Sequence, residues 1–129
     1  MQTGALPMIF RADDIERLKQ IEAYILSNLD QDLRLEQLCL RFSLSPARLK
    51  RQFAQYFRQP VYRYILQHRM ARAKQFLAQC PGSIAEVASL VGYADHSSFT
   101  HAFTRYFGQA PIDLLRQQDL RGHTGSSPI

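Results

Sequence analysis

The chain has 129 residues, 46% of them hydrophobic, with 16 Lys and Arg against 11 Asp and Glu, a formal net charge of +5. That length suits one ordinary domain or two very small ones, and no run of about 18 apolar residues is present to cross a bilayer. The opening MQTGALPMIFRADD lacks the basic stretch and sustained apolar core of a signal peptide. Two cysteines without CxxC spacing exclude a disulfide framework, so the cytoplasm is the expected compartment, with no membrane partner.

Apolar residues recur at i, i+3, i+4 and i+7 almost throughout, and no strand alternation stands out, which predicts an all-α fold. Residues 1–12 are expected to form a linker or disordered N-terminus. The first helix is predicted over 13–29, with Ile15, Leu18, Ile21, Ile25 and Leu29 on one face and Asp13 or Asp14 as N-cap. A short helix follows over about 35–42. Ser45 as N-cap and Pro46 as first helical residue open the next, over 46–57. A longer connector helix spans 61–79, with a stripe of Tyr62, Ile65, Leu66, Arg69, Met70, Ala73, Phe76 and Leu77, and CPG at 80–82 ends it. Arg69, set within that apolar stripe, is expected to make an internal hydrogen bond or salt bridge. SIAE at 83–86 is a capping box that starts a helix to about Val91, followed by Gly92 in a left-handed turn. Asp95 caps a helix over 96–107, and Pro111 opens the last, PIDLLRQQ. The remainder, 119–129, is polar and expected to be a flexible tail.

The chain repeats itself. Leu35, Leu38, Phe42 and Leu44 match Ile84, Val87, Val91 and Tyr93 at an offset of 49, and Leu49, Phe53 and Phe57 match Phe99, Phe103 and Phe107 at an offset of 50. Each copy is a short helix, a tight turn and a second helix with an apolar i, i+4, i+8 stripe, the helix-turn-helix pattern. This divides the chain into a first subdomain (13–60), the connector (61–79) and a second subdomain (80–118).

Charge is distributed as unevenly as the repeat is regular. Residues 37–85 hold nine cations and no carboxylate, whereas 1–36 and 86–129 are each net acidic. A cationic block of that length calls for a polyanionic partner, most commonly nucleic acid. With Leu49 inward, 100° per residue places Ala47, Arg51, Ala54 and Arg58 outward, flanked by Arg48 and Lys50. With Phe99 inward, Ser97, His101 and Thr104 point outward, flanked by Ser98, Thr100 and Arg105, with His96 at the N-terminal end. Both faces can hydrogen-bond base edges or phosphates. A 19-residue connector is about 28 Å long, close to the roughly 34 Å of one duplex turn. One chain could therefore place two helices in successive major-groove segments.

The segments LSPARLKRQF, RMARAKQFL at 69–77 and IAEVASLVGYADHSSFTHAFTRYFGQAP at 84–111, with Phe99, Phe103 and Phe107, resemble the DNA-binding domain of AraC/XylS-type transcription regulators. The resemblance covers about 13–118. It implies seven helices, two helix-turn-helix subdomains joined by a long connector, and sequence-specific binding to double-stranded DNA. It also implies contact with RNA polymerase, usually as a bacterial activator, and hence a place at the nucleoid. Carried over by position, base contacts fall on Ala47, Lys50 and Arg51 and on His96, Ser97, Thr100 and His101. Backbone contacts fall on Ser45 and Arg48, with Ser98 and Arg105 as the flanking candidates of the second helix. Two positions depart from the pattern. Arg34 stands where Ser or Thr would cap a helix. His101 stands where several relatives have Arg, so a neutral imidazole with fewer donors implies a weaker or pH-dependent contact. No effector or dimerisation domain accompanies the motifs, so the chain is expected to be either a stand-alone member or the C-terminal domain of a longer regulator; MQTGALPMIF, which resembles an interdomain linker, favours the second, and the domain is expected to be monomeric by itself.

The other readings are weaker. Tyr56, Phe57, Tyr62, Tyr64, Phe103, Tyr106 and Phe107 are expected to pack between helices rather than stack on bases. His96 and His101 are five apart, not the i, i+4 of paired ligands on a helix, so neither a metal nor another cofactor is expected. Cys39 and Cys80 read as buried or half-buried reduced thiols. A DNA-repair alkyl acceptor would need an exposed, activated cysteine, so no catalysis is expected. A module binding an acidic protein through the basic face is the remaining alternative, and salt-dependent duplex binding separates it from a groove binder.

Overall fold

The computed structural model describes residues 10–79 and 82–116, which form seven helices and, among the described residues, no strand. They are α1 (Ala12–Ser27), α2 (Leu35–Phe42), α3 (Pro46–Phe57), α4 (Val61–Gln79), α5 (Ile84–Leu90), α6 (His96–Phe107) and α7 (111–116). Cys80, Pro81 and the predicted tail lie outside the described residues. The chain divides into two compact units: residues 10–28 and 33–64 form one, residues 29–32 and 65–116 the other.

Local chemistry sets most helix ends. Ser45 Oγ accepts from the Arg48 N–H at 3.2 Å, and Pro46 follows at N1. Ser83 Oγ accepts from the Glu86 N–H at 3.0 Å while Glu86 Oε1 accepts from the Ser83 N–H at 3.3 Å, a complete capping box. Asp95 Oδ1 accepts from the Ser98 N–H at 2.7 Å. The start of α1 differs from expectation. Its N-cap is Arg11, and Asp14 sits at N3, reaching back to accept from the Arg11 N–H at 3.3 Å. Asp14 is buried there, which a cap facing solvent would not be. The helix also ends at Ser27 rather than at 29, although Leu29 stays buried beyond it. Arg34 precedes α2 in extended conformation without a side-chain capping bond; its carbonyl accepts from Gln37 and Leu38.

In the first unit α1, α2 and α3 bury Leu18, Ile21, Ile25, Leu38, Leu44, Leu49 and Phe53. Tyr64 lies edge-on to Phe53, centroids 5.3 Å apart, and its hydroxyl donates to Glu22 Oε2 at 2.5 Å. Burial, then that bond, push the Tyr64 phenol above its ordinary value of 10.0. In the second unit Met70, Ala73 and Leu77 of α4 join Val87, Val91, Phe99, Phe103 and Leu114 in one core. The α4 stripe thus differs from prediction at its start: Val61 and Tyr64 are buried while Tyr62 is 65% exposed. The first turn of α4 serves the first unit and the rest the second, so no single 3.6-residue stripe describes it.

The helix-turn-helix turns are alike. In each, a residue just past the helix donates to the carbonyl five positions earlier, Leu44 N to Cys39 O and Tyr93 N to Ala88 O, the 6→1 bond of a Schellman turn. The left-handed residue is Ser43 (φ 55) in one and Gly92 (φ 93) in the other. Arg69, in the second unit, makes the internal bonds expected of it. Its Nε donates to Leu29 O at 3.0 Å and Nη2 to Gln31 O at 2.8 Å, beneath Gly92 and 5.8 Å from the Tyr93 ring centroid. Burial lowers its pKa from the ordinary 12.5.

Candidate nucleic-acid interface

The second helix of each copy is held by two aromatic or aliphatic anchors with no solvent exposure, Leu49 and Phe53 on α3 and Phe99 and Phe103 on α6. Burying such side chains is worth about 1.5–3 kcal/mol each, and fixing them fixes the rotation of the helix. The opposite side is then left to solvent. On α3, Ala47, Arg48, Lys50, Arg51 and Arg58 are exposed, while Ala54 is half-buried and Gln52 buried. On α6, His96, Ser97, Ser98, His101, Thr104 and Arg105 are exposed. Thr100 differs from its neighbours: it is half-buried, and its Oγ1 is enclosed with no hydrogen-bond partner among the described residues. Among the aromatic residues expected to pack between helices, Tyr62 and Tyr106 are exposed and the other five are buried or half-buried.

The three cations at the start of α3 are not equivalent. Arg48 Nη2 donates to Asp14 Oδ1 at 3.1 Å, with side-chain exposures of 45% and 11%. Chain folding thus supplies a carboxylate, 34 residues upstream, to a helix whose own segment has none. Asp14 accepts from Arg11 with one oxygen and from Arg48 with the other. A guanidinium has five N–H donors, so one face of Arg48 stays available. Among the described residues neither Lys50 nor Arg51 forms an ion pair. Sequence reasoning missed Asp14 because it was assigned to capping; its position at N3 of α1, with α1 packed on α3, is a tertiary fact.

The two helix starts also differ electrostatically. The α3 start carries a neutral hydroxyl cap and no acid in its first turn. Its positive dipole end and cations therefore add, an arrangement suited to phosphate. The α6 start carries the Asp95 carboxylate. Hydrogen bonding from Ser98 holds Asp95 below its ordinary value of 3.8, so it is ionised at neutral pH and offsets the dipole. Arg105 lies in the last turn of α6, where the dipole favours a cation. What α6 presents is hydroxyl and imidazole, chemistry that hydrogen-bonds base edges with little net charge.

Burial, then Glu36, raise the pKa of the Cys39 thiol, the opposite of an activated cysteine. Cys80 lies outside the described residues. No described helix is long and apolar enough to cross a membrane.

Comparison with known proteins agrees with this architecture. A family model described as a helix-turn-helix domain matches residues 38–117. The HTH-type transcriptional regulator GbdR of Pseudomonas aeruginosa is 35% identical over 104 residues, 81% of this chain and 28% of that protein. The HTH-type transcriptional activator RhaS of Klebsiella pneumoniae is 29% identical over 103 residues, 80% of this chain and 37% of that protein. The chain thus spans about a third of the length of these relatives. The DNA-binding domain of the global transcriptional factor AdpA, solved in complex with a target DNA, superposes with a TM-score of 0.76 at 22% identity, over 81% of this chain and 95% of that one.

Proposed function

The chain belongs to the AraC/XylS family of helix-turn-helix transcription regulators, and from that premise we propose that it reads double-stranded DNA through α3 and α6, each lying in a major-groove segment. The carrying observation is the matched pair of helices, each pinned by buried anchors and each leaving a polar or cationic side open to a polyanion. Ala47, Lys50 and Arg51 are assigned to base edges in the first segment. His96, Ser97, Thr100 and His101 are assigned to the second, Thr100 on condition that its enclosed hydroxyl becomes accessible. Lys50 and Arg51 suit guanine O6 and N7, and Ala47 leaves room for a thymine methyl.

Ser45, Arg48, Ser98 and Arg105 are assigned to phosphates. Ser45 accepts from the Arg48 N–H and keeps its own O–H to donate. Arg48, braced by Asp14, presents a guanidinium of fixed orientation, which lowers the entropy cost of a backbone contact. Two copies of the helix-turn-helix in one chain support entry of both helices into successive groove segments by a single monomeric chain. Activation through RNA polymerase is the regulatory role proposed, in line with the activator RhaS.

Selection of bound sequences from random duplex DNA, followed by anisotropy titrations against salt, tests this directly. Affinity should fall log-linearly with salt, by about 0.9 per phosphate contacted, and the selected site should span two half-sites about one duplex turn apart. Absence of duplex binding at low salt would overturn the proposal and favour an acidic protein as partner of the basic face.

A further inference from the structure

The C-terminal end of α3 carries an arginine that the repeat itself marks as unusual. Arg58 ends α3 with φ 65 and ψ 21, in the left-handed region. Gly108 ends α6 at the equivalent position, 50 residues on, with φ 81. The match continues past both: Gln59, Pro60 and Val61 take the same turn, and the same burial at Gln59 and Val61, as Gln109, Ala110 and Pro111. This turn therefore needs a left-handed residue in each copy. Glycine adopts that conformation without penalty, and a side chain with a Cβ does not. Among the described residues only Ser43 and Arg58 pay it without being glycine. A Cβ built on Gly108 meets nothing within 4 Å, so the second-copy position leaves room for a side chain and carries none.

Arg58 is exposed and makes no hydrogen bond or ion pair among the described residues. In this it differs from Arg48, held by Asp14, and from Arg69, held by two carbonyls. It also terminates the line of Ala47 and Arg51, 4 and 11 residues along a helix being within about 40° of the same meridian. Eleven residues advance roughly 16 Å along the axis, and the major groove is about 12 Å wide. A helix whose first turns meet base edges would therefore carry Arg58 past the groove floor to the phosphates of its far wall.

Building on the DNA-reading function proposed above, we infer that Arg58 is a phosphate-contacting residue, an anchor at the C-terminal cap of α3, where the equivalent cap of α6 is Gly108. Strained backbone is retained where the side chain does something the easier residue cannot. Here that is delivery of one unpaired guanidinium to the sugar–phosphate backbone. The first helix-turn-helix then gains a phosphate contact from the turn that closes its reading helix, where the second copy has Gly108 and no side chain.

The test compares wild type, Arg58→Gly and Arg58→Lys on a selected duplex and a random duplex across a salt series, with melting of the free proteins measured alongside. Affinity scales as salt to the power of about −0.9 per phosphate contact, so loss of one contact should weaken binding roughly eightfold at 0.1 M salt and flatten the log–log slope by about 0.9. Arg58→Gly should do this equally on both duplexes while the free protein melts no lower than wild type. Arg58→Lys should keep the slope. Wild-type affinity and slope in Arg58→Gly would overturn the inference and leave Arg58 as a charge at the negative end of a helix dipole. A lowered melting temperature accompanying weaker binding would likewise make its role structural. Failure of wild type itself to bind DNA with steep salt dependence would overturn the function beneath it, a result visible before any variant is made.

Discussion

Replacing Gly92 by alanine should destabilise the second unit far more than replacing Gly108, although both glycines are left-handed. Gly92 has φ +93, and a Cβ there would stand 2.8 Å from Arg69 Cζ and Nη2 and closer still to the Leu29 carbonyl oxygen. Gly108 has φ +81, and its Cβ would meet nothing within 4 Å. The conformational cost common to both is about 1–2 kcal/mol. At Gly92 the clash is with backbone on one side and a guanidinium held by two carbonyls on the other. Relieving it means giving up at least one hydrogen bond to a charged donor, about 1.5–3 kcal/mol. The totals are roughly 2.5–5 kcal/mol for Gly92→Ala and about 1–2 for Gly108→Ala. For a unit of this size that difference corresponds to a gap of some 10 °C or more in melting temperature. Urea unfolding of both variants followed by far-UV circular dichroism measures it. Equal losses would show that the contact between Gly92, Leu29 and Arg69 is not close enough to matter.

Three further outcomes are expected. Arg51→Ala should cost about 1–3 kcal/mol of binding and relax preference at one base pair, whereas Arg48→Ala should weaken selected and random duplexes alike; identical behaviour in anisotropy titrations would break that division of roles. Arg34→Ser should leave the first unit about 0.5–1 kcal/mol more stable in thermal unfolding than Arg34→Ala, because a hydroxyl at the α2 N-cap can accept an orphan N–H and Gln37 stands at N3 to complete a capping box, as Glu86 does beyond Ser83. Asp95 has its folded pKa depressed by the Ser98 N–H; its contribution is therefore complete above the unfolded value near 3.8 and drains away as pH falls through the lower folded one. Stability measured from neutral pH to about 5 should not register it, and Asp95→Asn should reduce the acid-side slope below that.

Much of this structure was legible in the order of residues. Ser45-Pro46, Ser83 with Glu86, and Asp95 act within one turn of their own position, so α3, α5 and α6 begin where local chemistry places them. The exposure of Ala47, Arg51, Ser97 and His101 followed from helical rotation once Leu49 and Phe99 were taken as inward. What escaped depends on residues distant in sequence or on backbone choice. The partner of Arg48 is Asp14, 34 positions away, and nothing local distinguishes a carboxylate that caps from one that braces. Tyr62 and Tyr64 exchange roles because the first turn of α4 belongs to a different unit from the remainder. The enclosure of the Thr100 hydroxyl and the left-handed backbone of Arg58 leave no trace in hydropathy.

The carbonyls of Leu29 and Gln31 that receive Arg69 come from a four-residue excursion which the chain makes before α2 and then leaves. A recombinant fragment cut at the connector would strip that guanidinium of both acceptors and uncover the underside of Gly92. Anyone grafting the second module onto another protein must therefore bring along a short upstream tetrapeptide, or redesign position 69 to live without it.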